Sequence, residues 1–157
     1  MRPEGERLAF ISMCVDFLHA GHMNVILEAR KYGGVVIGLL SDKAILSYKR
    51  KPICTYEQRK IVAQNIKGVV RVVKQPEHDL VSTIRRVKPD YVVNGDDWKT
   101  GNQSHIRQTC IDALKEWGGE LIEIPYTEGI SSTNIIKRIN SETEENVDEE
   151  KNSLNSL

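Results

Sequence analysis

Along most of this chain, short apolar runs alternate with segments of helical spacing. Leu8–Met13, Val35–Leu40, Val69–Lys74, Tyr91–Asn94 and Glu120–Ile124 are short and rich in apolar residues, and they read as buried strands. Residues 22–31, Thr55–Ile66, Asp79–Val87 and Gln103–Trp117 have apolar positions at helical spacing and read as helices between them. Strand–helix alternation of this kind predicts an α/β fold, a Rossmann-like parallel sheet with helices on both faces. In such sheets a ligand binds beyond the carboxyl ends of the strands, so residues just after each strand are the candidates for chemistry. No internal repeat is visible.

The pattern stops near Ile139. From Ser141 to Ser153 the chain is acidic, polar and poor in apolar residues, and cannot bury enough surface to order itself. The expected organisation is one domain over 1–140, followed by an acidic disordered tail or interdomain linker over 141–157. A length of 157 residues allows a sizeable core. The balance of 22 basic and 22 acidic residues argues against a general nucleic-acid binder. No run is apolar enough to span a bilayer, and residues 1–7 lack the apolar core of a signal peptide, so a cytoplasmic protein with no membrane partner is expected. Cys14, Cys54 and Cys110 form no even framework and no CxxC pair, which suits reduced thiols.

His19-Ala20-Gly21-His22 follows the first strand and opens the first helix. Two imidazoles three residues apart lie on one helix face, and Gly21 lets a ligand approach the backbone. A helix N-terminus offers free N–H groups and positive potential, so it suits phosphate. A zinc pair is the rival reading. Helical zinc ligands favour four-residue spacing and need a third ligand, and the spacing of His78 and His105 completes no site.

Glu128-Gly129-Ile130-Ser131-Ser132-Thr133 lies between the last strand and a helical run, Asn134–Ile139. Plain N-capping by Ser or Thr explains one such start. Two anion-ready helix starts, each fed by a strand, suggest one triphosphate held between them.

Together, HxGH at 19–22 and EGISST at 128–133 resemble the cytidylyltransferase branch of the nucleotidyltransferase superfamily. Tyr56-Glu57-Gln58-Arg59 and Gly95-Asp96-Asp97-Trp98 resemble that branch's YExR and GDDW elements, and all four occur in order. The likeness runs from about Leu8 to Ile139. Glycerol-phosphate members usually read Gly-Thr-Phe-Asp before HxGH, where this chain has Met13-Cys14-Val15-Asp16; they usually carry Arg where it has Tyr126. With Trp98–Gly101 and Glu116–Gly119, these departures look more like cytidylyltransferase domains fused to phosphoenolpyruvate mutases in phosphonate biosynthesis.

The residues and the resemblance together imply a site. His19 and His22 would stabilise charge at the α-phosphorus and the leaving pyrophosphate. Lys49 and Lys51, in the basic loop Ser47–Pro52, and Arg59 would join them near the α-phosphate and acceptor. Met13, Cys14, Gly21, Gly95, Asp96, Tyr126, Thr127, Gly129, Ile130, Ser131, Ser132 and Thr133 would bind nucleotide. Asp16, Lys51, Asp97 and Trp98 would bind acceptor. Each has an ordinary structural alternative: a solvated basic loop, an ion-paired Arg59, a capped turn with a packed indole at 96–98. Cys14 reads as a small residue under the nucleotide, because direct transfer needs no thiol intermediate. Trp117 reads as core or interface, and Arg85, Arg86 and Lys88 as surface.

The expected activity is transfer of CMP from CTP to a small phosphonate such as 2-hydroxyethylphosphonate, with release of pyrophosphate. Glycerol 3-phosphate or another alcohol phosphate is the alternative acceptor, and a CTP-sensing domain without turnover is the rival of another class. Magnesium is expected on the triphosphate, with no dedicated protein cage but a possible contact to Asp16 or Asp96. Enzymes of this likeness are usually homodimers, and a fused or separate phosphoenolpyruvate mutase domain is a further expected partner.

Overall fold

The computed structural model, described over residues 5–141, contains one sheet of five parallel strands. These are β1 (Leu8–Met13), β2 (Gly34–Leu40), β3 (Val69–Gln75), β4 (Tyr91–Gly95) and β5 (Glu120–Ile124). The helices are α1 (Ala20–Ala29), α2 (Asp42–Leu46), α3 (Tyr56–Gln64), α4 (Val81–Val87), α5 (Ser104–Lys115) and a final α6 over residues 132–141. The sheet order is β3-β2-β1-β4-β5, with every neighbouring pair parallel. The chain therefore winds outward twice from β1, once in each direction. The reversal leaves a crevice above β1 and β4, where α/β sheets bind ligands.

The central strands β1 and β2 are buried on both faces, which is why they read as continuous apolar runs rather than as alternation. Ala9, Ile11 and Met13 of β1, with Val35, Ile37 and Leu39 of β2 and Val93 of β4, pack with Ile26 and Ala29 of α1 and Ala63 of α3. Leu8, Phe10, Val36 and Val92 point the other way, onto Ile84 of α4 and Ile106, Cys110, Ala113 and Leu114 of α5. The expected layers are thus present. Full burial of each large side chain stabilises the fold by roughly 1.5–3 kcal/mol.

Trp117 is core: it packs on the second cluster, and its indole N–H donates to Pro89 O at 2.7 Å. Arg85 pairs with Glu116 on the surface, and Arg86 donates to Lys74 O. All three cysteines are free.

Boundaries differ from the periodicity where caps decide them. α1 begins at Ala20 rather than 22, because His19 caps it. α3 stops at Gln64, short of Ile66. α4 begins at Val81, after a turn in which Asp79 Oδ1 accepts from Val81 N. The short α2 was not anticipated; Ser41 caps it through Ala44 N at 3.1 Å. Residue 141 is still helical, and the rest of the expected acidic tail, 142–157, lies outside the described residues. Among those described, no helix is long and apolar enough to cross a membrane.

Candidate active site

The start of α1 builds itself from its two histidines. His19 is the N-cap in extended conformation, and its Nδ1 accepts from Gly21 N at 3.1 Å. His22 Nδ1 reaches back to accept from His19 N at 3.2 Å. This is a capping box made of imidazoles in place of the usual hydroxyl and carboxylate. A nitrogen that accepts a hydrogen bond carries no proton, so each neutral ring bears its proton on Nε2. Capping thereby sets the tautomer and leaves both Nε2–H groups as donors. The rings lie 3.9 Å apart, centroid to centroid. A Cβ at Gly21 would sit 2.8 Å from His19 Cε1, so a larger residue there would have to displace the capping ring.

Both rings are held neutral. Burial lowers the His19 pKa, and burial followed by the charges of His19 and Lys49 lowers His22 to about 4. A bound polyphosphate would reverse that pressure by supplying the missing countercharge.

The loop between β1 and α1 is strained. Val15 and Phe17 have φ of 53° and 60°, a region costly for β-branched and aromatic residues. Three neighbours hold the loop in place. Arg59 Nη1 donates to Cys14 O at 2.7 Å, and Ser132 Oγ donates to Asp16 O and Phe17 O, each at 3.4 Å. The Asp16 carboxylate accepts from Ile53 N, Cys54 N and Arg50 Nη1, each at 3.0 Å. Burial pushes the Asp16 pKa up, but those two amides and Arg50 outweigh it and hold the group below its ordinary value.

α6 starts beside this loop. Ser131 Oγ caps it by accepting from Asn134 N at 3.1 Å. Two helix N-termini, from α1 and α6, therefore meet over the end of β1. Between them and the ends of β2 and β4 lies an open cleft of about 360 Å³.

The cleft collects most of the residues singled out in the sequence. Met13, Cys14, Asp16, His19, Gly21, His22, Lys49, Gly95, Asp97, Trp98, Tyr126, Thr127, Ile130, Ser131, Ser132 and Thr133 all line it. Lys51, Arg59, Asp96 and Gly129 do not. Arg59 is fully buried. Its guanidinium is spent on Cys14 O, Leu40 O, Cys54 O and Asp42 Oδ1, so it clamps loops and does not face a ligand. Lys51 is exposed and outside the cleft. Asp96 Oδ1 accepts from Tyr126 N, fixing one wall to another. Asp16 lines the cleft, yet both its oxygens are occupied by the 50–54 loop, which leaves it poorly placed to take an acceptor or metal. Trp98 is 4% exposed and its indole donates to Glu123 Oε1 at 2.9 Å, so it is a packed wall. The Cys14 thiol meets Tyr48 Oη at 3.1 Å.

Tyr48, His78, Leu80, Asn94 and Gln103 also line the cleft and were not singled out by motif. No spacing in the sequence links His78 to the other histidines. The parallel sheet brings it in from the end of β3.

The sequence profile of the cytidylyltransferase-like family matches residues 14–138, most of the chain. The chain belongs to that family. Among curated proteins, this cytidylyltransferase-like chain is 32% identical over 146 residues to the bifunctional protein HldE of Salmonella arizonae, covering 91% of this chain and 30% of that one. It is 29% identical over 143 residues to the bifunctional protein HldE of Methylobacillus flagellatus, covering 89% and 28%. It thus spans less than a third of the length of these relatives. Among solved structures, a lipopolysaccharide core biosynthesis protein from Thermoplasma volcanium superposes with a TM-score of 0.67 at 23% identity, over 79% of this chain and all of that one. A pantoate-β-alanine ligase from Francisella tularensis, solved with a β,γ-ATP compound and β-alanine, superposes at 0.56 and 13% identity, over 83% and 65%. At these identities the likeness to both structures is one of fold.

Proposed function

We propose that this chain transfers a nucleotidyl group from a nucleoside triphosphate to an oxygen of a small phosphate or phosphonate, releasing pyrophosphate. The observation that carries the reading is the meeting of the α1 and α6 N-termini over one cleft, with His19 and His22 presenting Nε2–H donors between them. Helix starts suit the triphosphate. Donors set beforehand by the capping box suit the charge that builds on the α-phosphorus and leaving pyrophosphate, and they need no reorganisation during reaction. The attacking oxygen is already ionised, so no general base is required. Lys49, across the cleft, neutralises attacker and α-phosphate as they approach.

We take CTP as the donor and a small phosphonate such as 2-hydroxyethylphosphonate as the acceptor. The motif set supports CTP; Tyr126 in place of the usual Arg favours a phosphonate over glycerol 3-phosphate. Magnesium fits as an ion carried by the nucleotide. Asp16 and Asp96 are engaged within the protein, and among the described residues no group of three or more His, Cys, Asp or Glu could hold a metal. When bound to the triphosphate it would offset charge on the leaving pyrophosphate.

Pyrophosphate release is the test. CTP and ATP are each supplied with magnesium and with 2-hydroxyethylphosphonate, 2-aminoethylphosphonate, glycerol 3-phosphate or phosphocholine. Release with CTP and one phosphonate, abolished by EDTA, is expected. Release with ATP or with an alcohol phosphate would keep the reaction and replace that substrate. Nucleotide binding without release from any pair would favour a sensor.

A further inference from the structure

His78 enters the cleft on a support that no capping or packing need of its own explains. Gln75, at the end of β3 and fully buried, donates through Nε2 to Glu77 O at 3.0 Å and His78 O at 3.2 Å. Room for this amide exists because residue 38 of β2 is glycine; a Cβ there would lie 2.7 Å from Gln75 Oε1. Ser41 Oγ donates to Pro76 O at 2.9 Å and pins the same turn from the other side. The His78 ring then stacks on Tyr48, with centroids 3.9 Å apart and planes within 13°. Tyr48 is in turn fixed by the Cys14 thiol. Three strand ends thus combine to hold one imidazole against one phenol, facing the cleft.

The position of this wall matters more than its rigidity. α6 begins over the end of β1, where Ser132 reaches the β1–α1 loop, and His78 comes from β3, two strands away at the sheet edge. An in-line displacement places attacking and leaving oxygens on opposite sides of the phosphorus. With pyrophosphate at the α6 start, the attacker approaches from the β3 side. Lys49 lines the same cleft, with its Nζ 5.6 Å from the centroid of the Tyr48 ring.

We propose that the stacked Tyr48–His78 pair is the acceptor-selecting wall of the cleft, with His78 donating to the phosphonate or phosphate group of the incoming acceptor beside Lys49. The inference rests on the transfer reading above. Its chemistry selects a compact dianion with a short polar body, because Lys49 and the His78 ring supply donors beside the Tyr48 face and Leu80.

The full chain is titrated with methylphosphonate and with 2-hydroxyethylphosphonate, in the presence of saturating CTP or ATP, while the ring protons of all four histidines are followed by NMR. His78 is expected to shift with either phosphonate, and His19 and His22 with nucleotide alone. In turnover, His78→Ala should raise the acceptor KM about tenfold or more, as loss of a hydrogen bond to a charged group does, with the nucleotide KM within twofold. His78→Gln, which keeps a donor, should recover part of that loss. If nucleotide alone shifts His78 and His78→Ala weakens nucleotide binding, the wall is a nucleobase platform and the proposal falls. It falls too if neither phosphonate moves His78. A phosphonate-induced shift without turnover would uphold the wall while overturning the transfer reading.

Discussion

At the scale of the residue, His19 and His22 close a helix cap with one nitrogen of each ring and keep the other as a donor. Each uses Nδ1 to satisfy a backbone N–H that helix geometry leaves orphaned, and each is thereby left with its donor on Nε2. In the proposed transfer, structural and chemical duties would fall on different nitrogens of the same ring. Either histidine changed to alanine should lower kcat by about 10²- to 10³-fold, the usual cost of losing one preorganised donor to developing charge. Nucleotide affinity, measured by calorimetry, should fall no more than a few-fold. A raised KM with intact kcat would show that the rings bind the ground state instead. Asn places its Oδ1 where imidazole has Nδ1, so His22→Asn is the control that can keep the bond to the His19 amide while removing the Nε2–H.

At the scale of elements, buried polar groups tie together the loops above the sheet. Arg59 projects from α3 and ties the loop after β1, the end of β2, its own N-terminal turn and the start of α2. Asp16 does the reverse, drawing the 50–54 loop down onto the strained β1–α1 turn. The basic loop that carries Lys49 therefore sits on two interlocked charges. Arg59→Met should destabilise the fold by about 3–5 kcal/mol, because it strands buried carbonyls and unpairs Asp42. Urea unfolding followed by circular dichroism would show the midpoint drop. Unchanged stability together with a collapsed kcat would instead make Arg59 a ligand-facing group.

For the molecule as a whole, the buried titratable groups predict how it fails in acid. His22 titrates near 4 when folded, against an ordinary value of 6.5, so the unfolded chain binds that proton more strongly. The stability it contributes is complete above pH 6.5 and is lost as pH falls towards 4. Glu123 is held at about 2 chiefly by its bond to Arg107, against burial and with help from Trp98 and Lys99; its ordinary value is 4.5. Its contribution is complete above pH 4.5 and lost as pH falls towards 2. Urea midpoints measured from pH 8 to 3 should fall in two stages, first below 6.5 and again below 4.5. His22→Gln should make the first stage shallower, leaving the share of His19 and His78, and leave the second unchanged. A single stage that starts below 4.5 in the unmodified chain would contradict the buried neutral imidazole.

Strand positions, the parallel fold class and the two helix starts that meet at the cleft are legible in the sequence. Each rests on local pattern: apolar runs too short for helices, and Gly, His or Ser at strand-to-helix junctions. The core reading of Trp117 was available for the same reason, at the end of an amphipathic run. Tertiary structure alone decided the rest. It turned Arg59 inward, because four carbonyl and carboxylate oxygens from separate segments converge where its guanidinium ends. It left Lys51 outside the cleft while Lys49 faces in, and it spent Asp16 on a loop rather than on a ligand. It also carried His78 to the cleft from β3, across a sheet whose strand order no spacing along the chain reveals. A local pattern fixes which face a residue can present, but the partner waiting at that face is set by chain segments tens of residues away.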